Sequence, residues 1–395
     1  MRLRQGIFLV HLTTGCAAAA VIFFLAATGF LLAWQKPIVA WQEREYRATV
    51  PQMGPAMPLD KITAIATATE EERPTAIVID AGESDPVEVD FEHDRRLFLN
   101  RRSGAVLGRG AVRTRAFFTV VTGLHRWFGM APEHHASAKL VKGAFTLALL
   151  LMIATGLWLW MPRAWSGPRI RAGALLRFGL SGRARDWNRH SVAGLWAAVP
   201  LTVIALTGAI LAYGWMTRLV YVATASPLPT PVRATQTLAR HPRLAASINP
   251  GISLQQVFEQ TGLQSSGWHE IRVAIPRSAD RTIEASVDFG NGGRPNQQVR
   301  IAYDRVSGAV VTLTTFSSFS PGQQIRSFMK YIHTGEAGGF VGETIAGLAA
   351  LVCCILIWTG MAMALRRLQG QRIASRRAAK VSGTGMETAS GVPAD

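Results

Sequence analysis

Four apolar runs constrain this chain more than any other feature, because each is long enough to cross a lipid bilayer. They cover residues 7–34, 138–161, 191–215 and 340–365. Crossing the hydrocarbon core takes about 20 helical residues at about 1.5 Å rise each. The first run is too long for a signal peptide and lacks a small-residue cleavage site. We therefore predict a multi-pass membrane protein with four spanning helices, the first of which is retained.

The distribution of positive charge predicts the orientation of these helices. The net charge is +17 at pH 7, and residues 163–189 contain seven arginines against one acid. The segment after Leu365 contains six basic residues against two acids. By the positive-inside rule these segments, and both termini, are predicted to be cytoplasmic. The basic surface is expected to contact anionic lipid, whereas no module typical of nucleic-acid binding is present.

The two long segments between helices share one pattern, and both are predicted on the opposite, outer side. Each begins with a short helix, at 59–69 and 254–261, and continues with alternating strands. Each also contains a similar turn, Asn100-Arg-Arg-Ser-Gly-Ala-Val in the first and Asp304-Arg-Val-Ser-Gly-Ala-Val in the second. This internal repeat predicts two small modules in which a helix packs on an antiparallel sheet.

The predicted domain boundaries follow from these patterns. They are 1–36 (spanning helix 1), 37–115 (outer module 1), 116–162 (an interfacial helix and spanning helix 2), 163–189 (an arginine-rich link), 190–217 (spanning helix 3), 218–322 (outer module 2), 323–366 (an interfacial helix and spanning helix 4) and 367–395 (a tail predicted to be disordered). The tail is rich in Ala, Ser, Gly and Arg, a composition typical of disorder.

A histidine accompanies each spanning helix, and a Thr-Gly pair lies within each. The histidines are His11, His125, His190 and His333, and the glycines of the Thr-Gly pairs are Gly29, Gly156, Gly208 and Gly360. Histidine in or beside a spanning helix is costly without a partner and therefore suggests a functional site. A satisfied structural histidine is the alternative for any one of them.

The predicted topology sorts the histidines into two pairs. His11 and His190 start helices that run outward, so they are expected at the cytoplasmic end, while His125 and His333 are expected at the outer face. Two histidines from two helices are the axial ligands that a six-coordinate haem needs. His11 and Thr28 are 17 residues apart, and so are His190 and Thr207. Each Thr-Gly pair is therefore expected at the level of the histidine pair on the other side of the membrane from its own helix's histidine. There a glycine would let the helix backbone approach a flat ring. The alternative role for each glycine is ordinary helix packing.

A zinc or other bare-metal site is the rival interpretation, because two histidines are also half of a metal site. Each pair has one acid within about a turn, Asp186 or Glu336, which leaves a four-ligand site incomplete. His134 and His135 are alternates to His125 as a ligand, or else exposed loop residues. His93, His241 and His269 are predicted to be surface histidines. No Cys-x-x-Cys-His is present, so any haem is b-type.

These residues resemble the PepSY-associated transmembrane family, which includes iron-regulated membrane proteins and ferric-siderophore reductases of the bacterial inner membrane. The resemblance covers nearly the whole chain. It rests on Leu124-His125-Arg126-Trp127-Phe128-Gly129, on His190 with Gly194-Leu195-Trp196, on Ile332-His333-Thr334-Gly335-Glu336, and on the repeated Ser-Gly-Ala-Val turns. Val10 and Leu12 around His11 depart from the family's usual Leu-His-Arg pattern.

The resemblance implies a membrane all-α four-helix bundle with two periplasmic α+β PepSY-like modules, in the inner membrane of a bacterium. It further implies two haem b groups, bound by His11 with His190 and by His125 with His333, that reduce a periplasmic ferric siderophore or other ferric chelate. No flavin or nicotinamide fingerprint is visible, so a quinol or a separate reductase is expected as the electron donor.

Two alternatives to a reductase remain at this stage. A haem-free, membrane-anchored PepSY protein could bind or regulate a periplasmic partner, and its histidines would then be replaceable without spectroscopic change. A transporter would need broken helices or buried acids at the bilayer midplane. No acid lies in the middle of any span, and Glu343 near the outer end of the fourth span is the nearest candidate.

Overall fold

A computed structural model describes residues 2–47, 54–82, 86–162, 166–228 and 251–387. Its helices are α1 (Arg2–Leu32), α2 (Gln35–Arg47), α3 (Leu59–Thr69), α4 (Val112–Trp127), α5 (His135–Trp160), α6 (Gly167–Ala174), α7 (Gly182–Ala212), α8 (Gly214–Ala223), α9 (Leu254–Gln264), α10 (Pro321–Thr334) and α11 (Gly339–Glu387). Its strands are β1 (Ala76–Asp80), β2 (Val87–Asp90), β3 (Arg96–Leu99), β4 (Val106–Gly108), β5 (Glu270–Ala274), β6 (Thr282–Asp288), β7 (Gln298–Asp304) and β8 (Val310–Thr315).

The chain divides into two compact units, which we name by their content. The helical unit comprises Met1–Phe30, Val141–Leu206 and Gly347–Asp395, and the sheet unit comprises Leu31–Leu140 and Thr207–Ala346.

Four helical segments are long and apolar enough to cross a membrane, which confirms the number predicted. They are Arg2–Tyr46, Val112–Trp160, Gly182–Ala212 and Glu336–Ile373. The described chain is more than a four-helix bundle, however, because seven further helices accompany α1, α5, α7 and α11.

Small side chains pack the helical unit together. Its buried core contains Ala18 and Ile22 of α1, Ala197 and Leu201 of α7, and Ala349 and Cys353 of α11. Alanine at such contacts lets helix backbones approach closely, as in membrane helix pairs. Large apolar side chains point the other way: Trp196 is 68% exposed and Trp358 is 75% exposed. Small buried side chains combined with large exposed apolar side chains are typical of helices whose outer surface faces lipid.

The described part of the arginine-rich link, residues 166–189, contains helix. It forms α6 and then the first turns of α7, which begins at Gly182 rather than near residue 190. Two tryptophan side chains fix the end of α6, since Trp160 Nε1 donates to Gly173 O at 3.1 Å and Trp196 Nε1 donates to Ala174 O at 2.9 Å.

The tail differs from the prediction of disorder. Residues 367–387 continue α11 as a helix, whereas residues 388–395 lie outside the described part. Alanine, arginine, glutamine and lysine are all strong helix formers, and a helix already nucleated upstream extends through them at little cost.

The sheet unit contains one eight-stranded antiparallel sheet, in the order β4-β3-β2-β1-β5-β6-β7-β8. The two modules predicted separately therefore share a sheet. Their junction is the pairing of β1 with β5, from Ala76 opposite Ala274 to Asp80 opposite Glu270. The two predicted helices, α3 and α9, are confirmed to within a few residues, and strands follow each of them as predicted.

The repeated turns have the same structure in both halves. Asn100 Oδ1 accepts from the amides of Arg102 and Ser103, and Asp304 Oδ1 accepts from those of Val306 and Ser307. The glycine that follows has a φ of 71° in each turn, a backbone conformation that glycine adopts without strain. Shared geometry at this level of detail supports the internal repeat.

One face of the sheet forms the main core of this unit. Ile62 of α3 and Val257 of α9 are fully buried there, against strand residues such as Ile77 and Ile271. On the other face of the first half, Tyr46 of α2 stacks on Phe98 of β3, with ring centroids 5.1 Å apart. Helices therefore cover both faces of β2 and β3.

Candidate functional site

The structure brings His11 of α1 and His190 of α7 together, and we call them the first pair. Their ring centroids lie 6.3 Å apart and their planes are perpendicular, at 89°. Both imidazoles are half-buried within the helical unit. The equal positions of the two histidines near the starts of their helices thus correspond to a real contact.

A threonine and a glycine from a second helix hold each histidine of the first pair. Thr155 Oγ1 of α5 lies 2.9 Å from His11 Nδ1, and Thr359 Oγ1 of α11 lies 3.0 Å from His190 Nδ1. A Cβ atom on Gly156 would lie 3.3 Å from His11 Cε1, and one on Gly360 would lie 3.3 Å from His190 Cε1. The sequence predicted that these glycines lie level with the first pair; the structure adds that they face the imidazole edges.

The structure also brings His125 and His333 together in the sheet unit, as the second pair. Their ring centroids lie 6.4 Å apart, with an interplanar angle of 48°. Each histidine lies in the last turn of its helix: α4 is capped by Phe128 with a φ of 53°, and α10 is capped by Gly335 with a φ of 83°. These left-handed caps turn the chain away directly after the histidines.

One threonine contact recurs at the second pair. Thr207 Oγ1 of α7 lies 3.3 Å from His333 Nδ1. Gly208 follows it in the sheet unit, whereas Gly29 follows the buried Thr28 in the helical unit. The predicted approach of Gly29 and Gly208 to the second pair stays a prediction.

The remaining described histidines are placed differently. The His135 ring stacks on Trp127 at 4.1 Å, nearly parallel at 9°. His134 is exposed in a short turn, Pro132–His134, and His93 and His269 are exposed on the sheet unit. His241 lies outside the described residues. Geometry therefore favours His125 over His134 and His135 as the partner of His333.

The spacing within both pairs fits ligation of one metal from opposite sides. Two imidazoles that bind a metal in this way, through nitrogens about 2 Å from it, have centroids roughly 6 Å apart, against roughly 5 Å in a tetrahedral site. The described residues contain no cluster of three or more His, Cys, Asp or Glu side chains that could hold a bare metal ion. A group that brings its own equatorial nitrogens, such as haem, needs only the two histidines.

The acids next to each pair are bound to basic side chains. Asp186 accepts from Arg185 Nε at 3.2 Å and from Arg366, and Glu336 forms an ion pair with Lys36. Carboxylates engaged in this way are poorly disposed to complete a zinc site. The sequence had indicated the acids but not these ion pairs, in which Arg366 and Lys36 come from distant parts of the chain.

The threonine hydroxyls are the site feature that sequence reasoning missed. The Thr-Gly pairs were visible as a repeated pattern, but only the glycines had an expected role. Since threonine precedes glycine in all four spans, the repetition itself was the signal available.

One family model matches the chain, that of the PepSY-associated TM region, over residues 8–367. No curated protein matches it. The matched range includes both histidine pairs and all eight strands of the sheet.

Proposed function

The chain belongs to the PepSY-associated transmembrane family, and on that premise we propose that it is a di-haem b electron-transfer protein. In this proposal it lies in a bacterial inner membrane and reduces a periplasmic ferric siderophore, or another ferric chelate, so that the iron is released. The observation that carries the proposal is the presence of two histidine pairs with nearly equal ring spacings of 6.3 and 6.4 Å.

Four half-buried imidazoles would hold the two haem groups. His11 and His190 come from α1 and α7, and His125 and His333 come from α4 and α10. Because each pair joins two different helices, ligation would depend on the folded chain rather than on a local motif. Haem iron with two such ligands carries one electron at a time between its ferric and ferrous states. No side chain beyond these ligands is assigned a catalytic role.

The apolar surroundings of the first pair support this use. Its neighbours include Met152 and Leu356, which are partly buried and pack against the core of the helical unit. Such an environment excludes water and lowers the dielectric around any bound redox centre. A water-filled ion-binding site would instead expose polar side chains.

The proposed orientation follows from charge. Arg2, Arg4 and the arginine-rich link would be cytoplasmic and in contact with anionic lipid, which puts the first pair on the cytoplasmic side and the second on the periplasmic side. Electrons would enter at the first pair and leave at the second. The sheet would then be periplasmic, consistent with two PepSY-like modules.

The electron balance defines the class of donor. Each ferric chelate takes one electron and becomes a ferrous chelate, which binds its ligand less tightly. A quinol gives two electrons and two protons, and so would serve two chelates; a separate cytoplasmic reductase is the other class of donor.

The first test is optical. The full chain, expressed with haem plentiful and purified in detergent, should show a sharp α-band on dithionite reduction and two haems per chain by pyridine haemochrome. His11→Ala or His190→Ala should remove one haem, and His125→Ala or His333→Ala should remove the other. His134→Ala and His135→Ala are matched controls that should retain both.

A second test measures the reaction. Proteoliposomes that contain a reduced quinone pool should reduce an external ferric siderophore, read with a chromogenic ferrous chelator, and the His333→Ala protein should not. A colourless protein would contradict the proposal and favour a haem-free PepSY protein that binds or regulates a periplasmic partner. A haem-loaded protein that leaves ferric chelates oxidised would contradict the substrate only.

A further inference from the structure

Two threonines on different helices contact the first pair through the same ring atom. Thr155 lies 2.9 Å from His11 Nδ1 and Thr359 lies 3.0 Å from His190 Nδ1. A threonine hydroxyl can donate one hydrogen bond and accept two, while a neutral imidazole has one N–H and one bare nitrogen. Which partner donates therefore decides which ring nitrogen has the free lone pair.

The proton of each hydroxyl is already engaged within its own helix. Thr155 Oγ1 donates to Leu151 O at 2.7 Å, and Thr359 Oγ1 donates to Ile355 O at 2.8 Å. A carbonyl oxygen can only accept, so these short bonds commit the one proton that each hydroxyl has. The hydroxyl oxygen is then an acceptor towards the histidine, and Nδ1 must be the donor.

We propose that Thr155 and Thr359 are positioning residues that fix His11 and His190 as Nδ1–H tautomers, with the Nε2 lone pair presented to a haem iron. The first half of this proposal concerns the protein alone; the second half rests on the proposed function. Metal-bound histidines commonly donate their other ring N–H to an acceptor that fixes the tautomer and the ring orientation. Here that acceptor is a threonine hydroxyl whose own proton is held by the backbone.

The adjacent glycine completes the device. Gly156 and Gly360 bring the helix backbone against the edge of the same imidazole, with a Cβ clearance of 3.3 Å from Cε1 in both cases. The threonine hydroxyl therefore fixes which ring nitrogen carries the proton, and the glycine, which has no side chain, leaves space for the imidazole ring. Both functions come from two consecutive residues, which gives the repeated Thr-Gly pair a single physical explanation.

A similar contact occurs at His333 of the second pair. Thr207 Oγ1 lies 3.3 Å from His333 Nδ1, and it precedes Gly208 as Thr155 precedes Gly156.

The experiment compares Thr155→Val and Thr359→Val with Thr155→Ser and Thr359→Ser. Valine keeps the shape and removes the acceptor, and serine keeps the acceptor. Thr146→Val on α5 and Thr344→Val on α11 are matched controls, because these threonines donate to Lys142 O at 2.8 Å and Phe340 O at 2.7 Å in the same way. Neither contacts a histidine in the described part of the chain.

The first readout is the midpoint potential of each haem. A ring N–H that donates to an acceptor makes the imidazole a better electron donor and favours ferric iron. Thr155 and Thr359 both contact the first pair, so each Val variant should raise the midpoint potential of the haem at that pair and leave that of the other haem unchanged. The Ser variants and both controls should match the parent. Unchanged potentials in both Val variants, with haem content retained, would overturn the role of the threonines.

The second readout reports the histidine tautomer whether or not haem is bound. In ¹⁵N-histidine-labelled full-length protein, reduced with dithionite so that low-spin iron is diamagnetic, His11 and His190 should show Nδ1–H signals. These signals should shift and exchange faster with solvent in the Val variants only. Nε2–H signals in the parent would overturn the proposal. Nδ1–H signals in a colourless protein would sustain the tautomer and refute haem binding, so the two failures are distinguishable.

Discussion

The backbone of Gly156 faces the imidazole of His11 so closely that a Cβ atom there would lie 3.3 Å from Cε1. Gly360 has the same relationship to His190 at the same distance. A spacing of this kind is tighter than ordinary van der Waals contact, so either the ring or the helix must shift when a methyl group is added.

We therefore expect Gly156→Ala to reduce occupancy of the haem site proposed at the first pair, and to leave the site proposed at the second pair occupied. Inserting a methyl group into a well-packed core costs about 1–3 kcal/mol. Haem content by pyridine haemochrome measures the loss. Gly194→Ala is the control, since its Cβ would meet Leu356 Cδ2 at 3.6 Å, an ordinary contact. Equal haem content in the two variants would contradict the close approach at Gly156.

The two histidine pairs should differ in their ferric electron paramagnetic resonance spectra. The planes are perpendicular in the first pair, at 89°, and tilted by 48° in the second. Perpendicular imidazoles leave the iron π-orbitals nearly equal in energy, which increases the largest g value of low-spin ferric haem. We expect two low-spin signals, with the larger g value lost in His190→Ala and the smaller one lost in His333→Ala. A single low-spin signal from both haems would contradict the difference in interplanar angle between the two histidine pairs.

A buried ion pair between α2 and the first turn of α4 should contribute strongly to stability. Arg115 donates from Nε and Nη2 to both carboxylate oxygens of Glu43, at 2.7 and 2.6 Å, and the two side chains are 8% and 1% exposed. Removing one partner of such a pair leaves a buried charge, at a cost of about 3–5 kcal/mol.

Arg115→Met should accordingly lower the unfolding temperature in detergent, and Glu43→Leu combined with Arg115→Met should recover much of it. Arg109→Met is the comparison, because the Arg109 side chain is 58% exposed and an exposed pair contributes at most about 1 kcal/mol. If the Arg115→Met and Arg109→Met proteins unfolded at the same temperature, the buried pair would contribute no more to stability than the exposed pair.

A row of acids across the centre of the sheet predicts a pH dependence. Glu270 of β5 lies directly opposite Asp80 of β1 and Asp288 of β6. Burial, and then the neighbouring Asp80, raise the pKa of Glu270 above its ordinary value of 4.5. The folded chain therefore holds this proton more tightly than the unfolded chain, and stability falls as the pH rises from 4.5 through the folded pKa.

Glu270→Gln should raise the free energy of unfolding at pH 7 by roughly 0.2–1 kcal/mol, the range for cross-strand pairs, and flatten its fall with pH. Fluorescence of Trp268, which contacts the core of the sheet unit, would follow unfolding at several pH values. Glu284→Gln, at an exposed position of β6, is the control and should leave the fall with pH as it is in the parent. A Glu270→Gln profile as steep as that of the parent would refute the assignment.

The sequence predicted the elements well because their signals are local. Alternating residues in β6 and the Ser-Gly turn after Asp304 specify strand and turn without reference to the rest of the chain. The four spanning helices were predicted equally well, because an apolar run of that length is seldom anything other than a membrane-spanning helix. Pairing His11 with His190 also followed from sequence, because helix direction alone puts both at one end.

The features that sequence left open depend on contacts between distant residues. The pairing of β1 with β5 joins Asp80 to Glu270, and no local pattern tells whether two modules share an edge. The contact from Thr155 to His11 likewise requires the rotation of α5 about its axis, which an apolar sequence without a polar face does not specify. The helix in residues 367–387 was not predicted because the composition of this segment indicates disorder and gives no sign that a preceding helix continues through it.

The pairing of β1 with β5 has a consequence for biogenesis. Asp80 ends β1 and Glu270 begins β5, and at about 5–20 residues per second the ribosome needs roughly 10–40 s to deliver the intervening stretch. During that interval the first four strands have an open edge at β1, which a second nascent chain could occupy. The order of synthesis thus makes β1 the strand at which this protein depends on its own second half, or on a chaperone, to avoid pairing with a neighbouring chain.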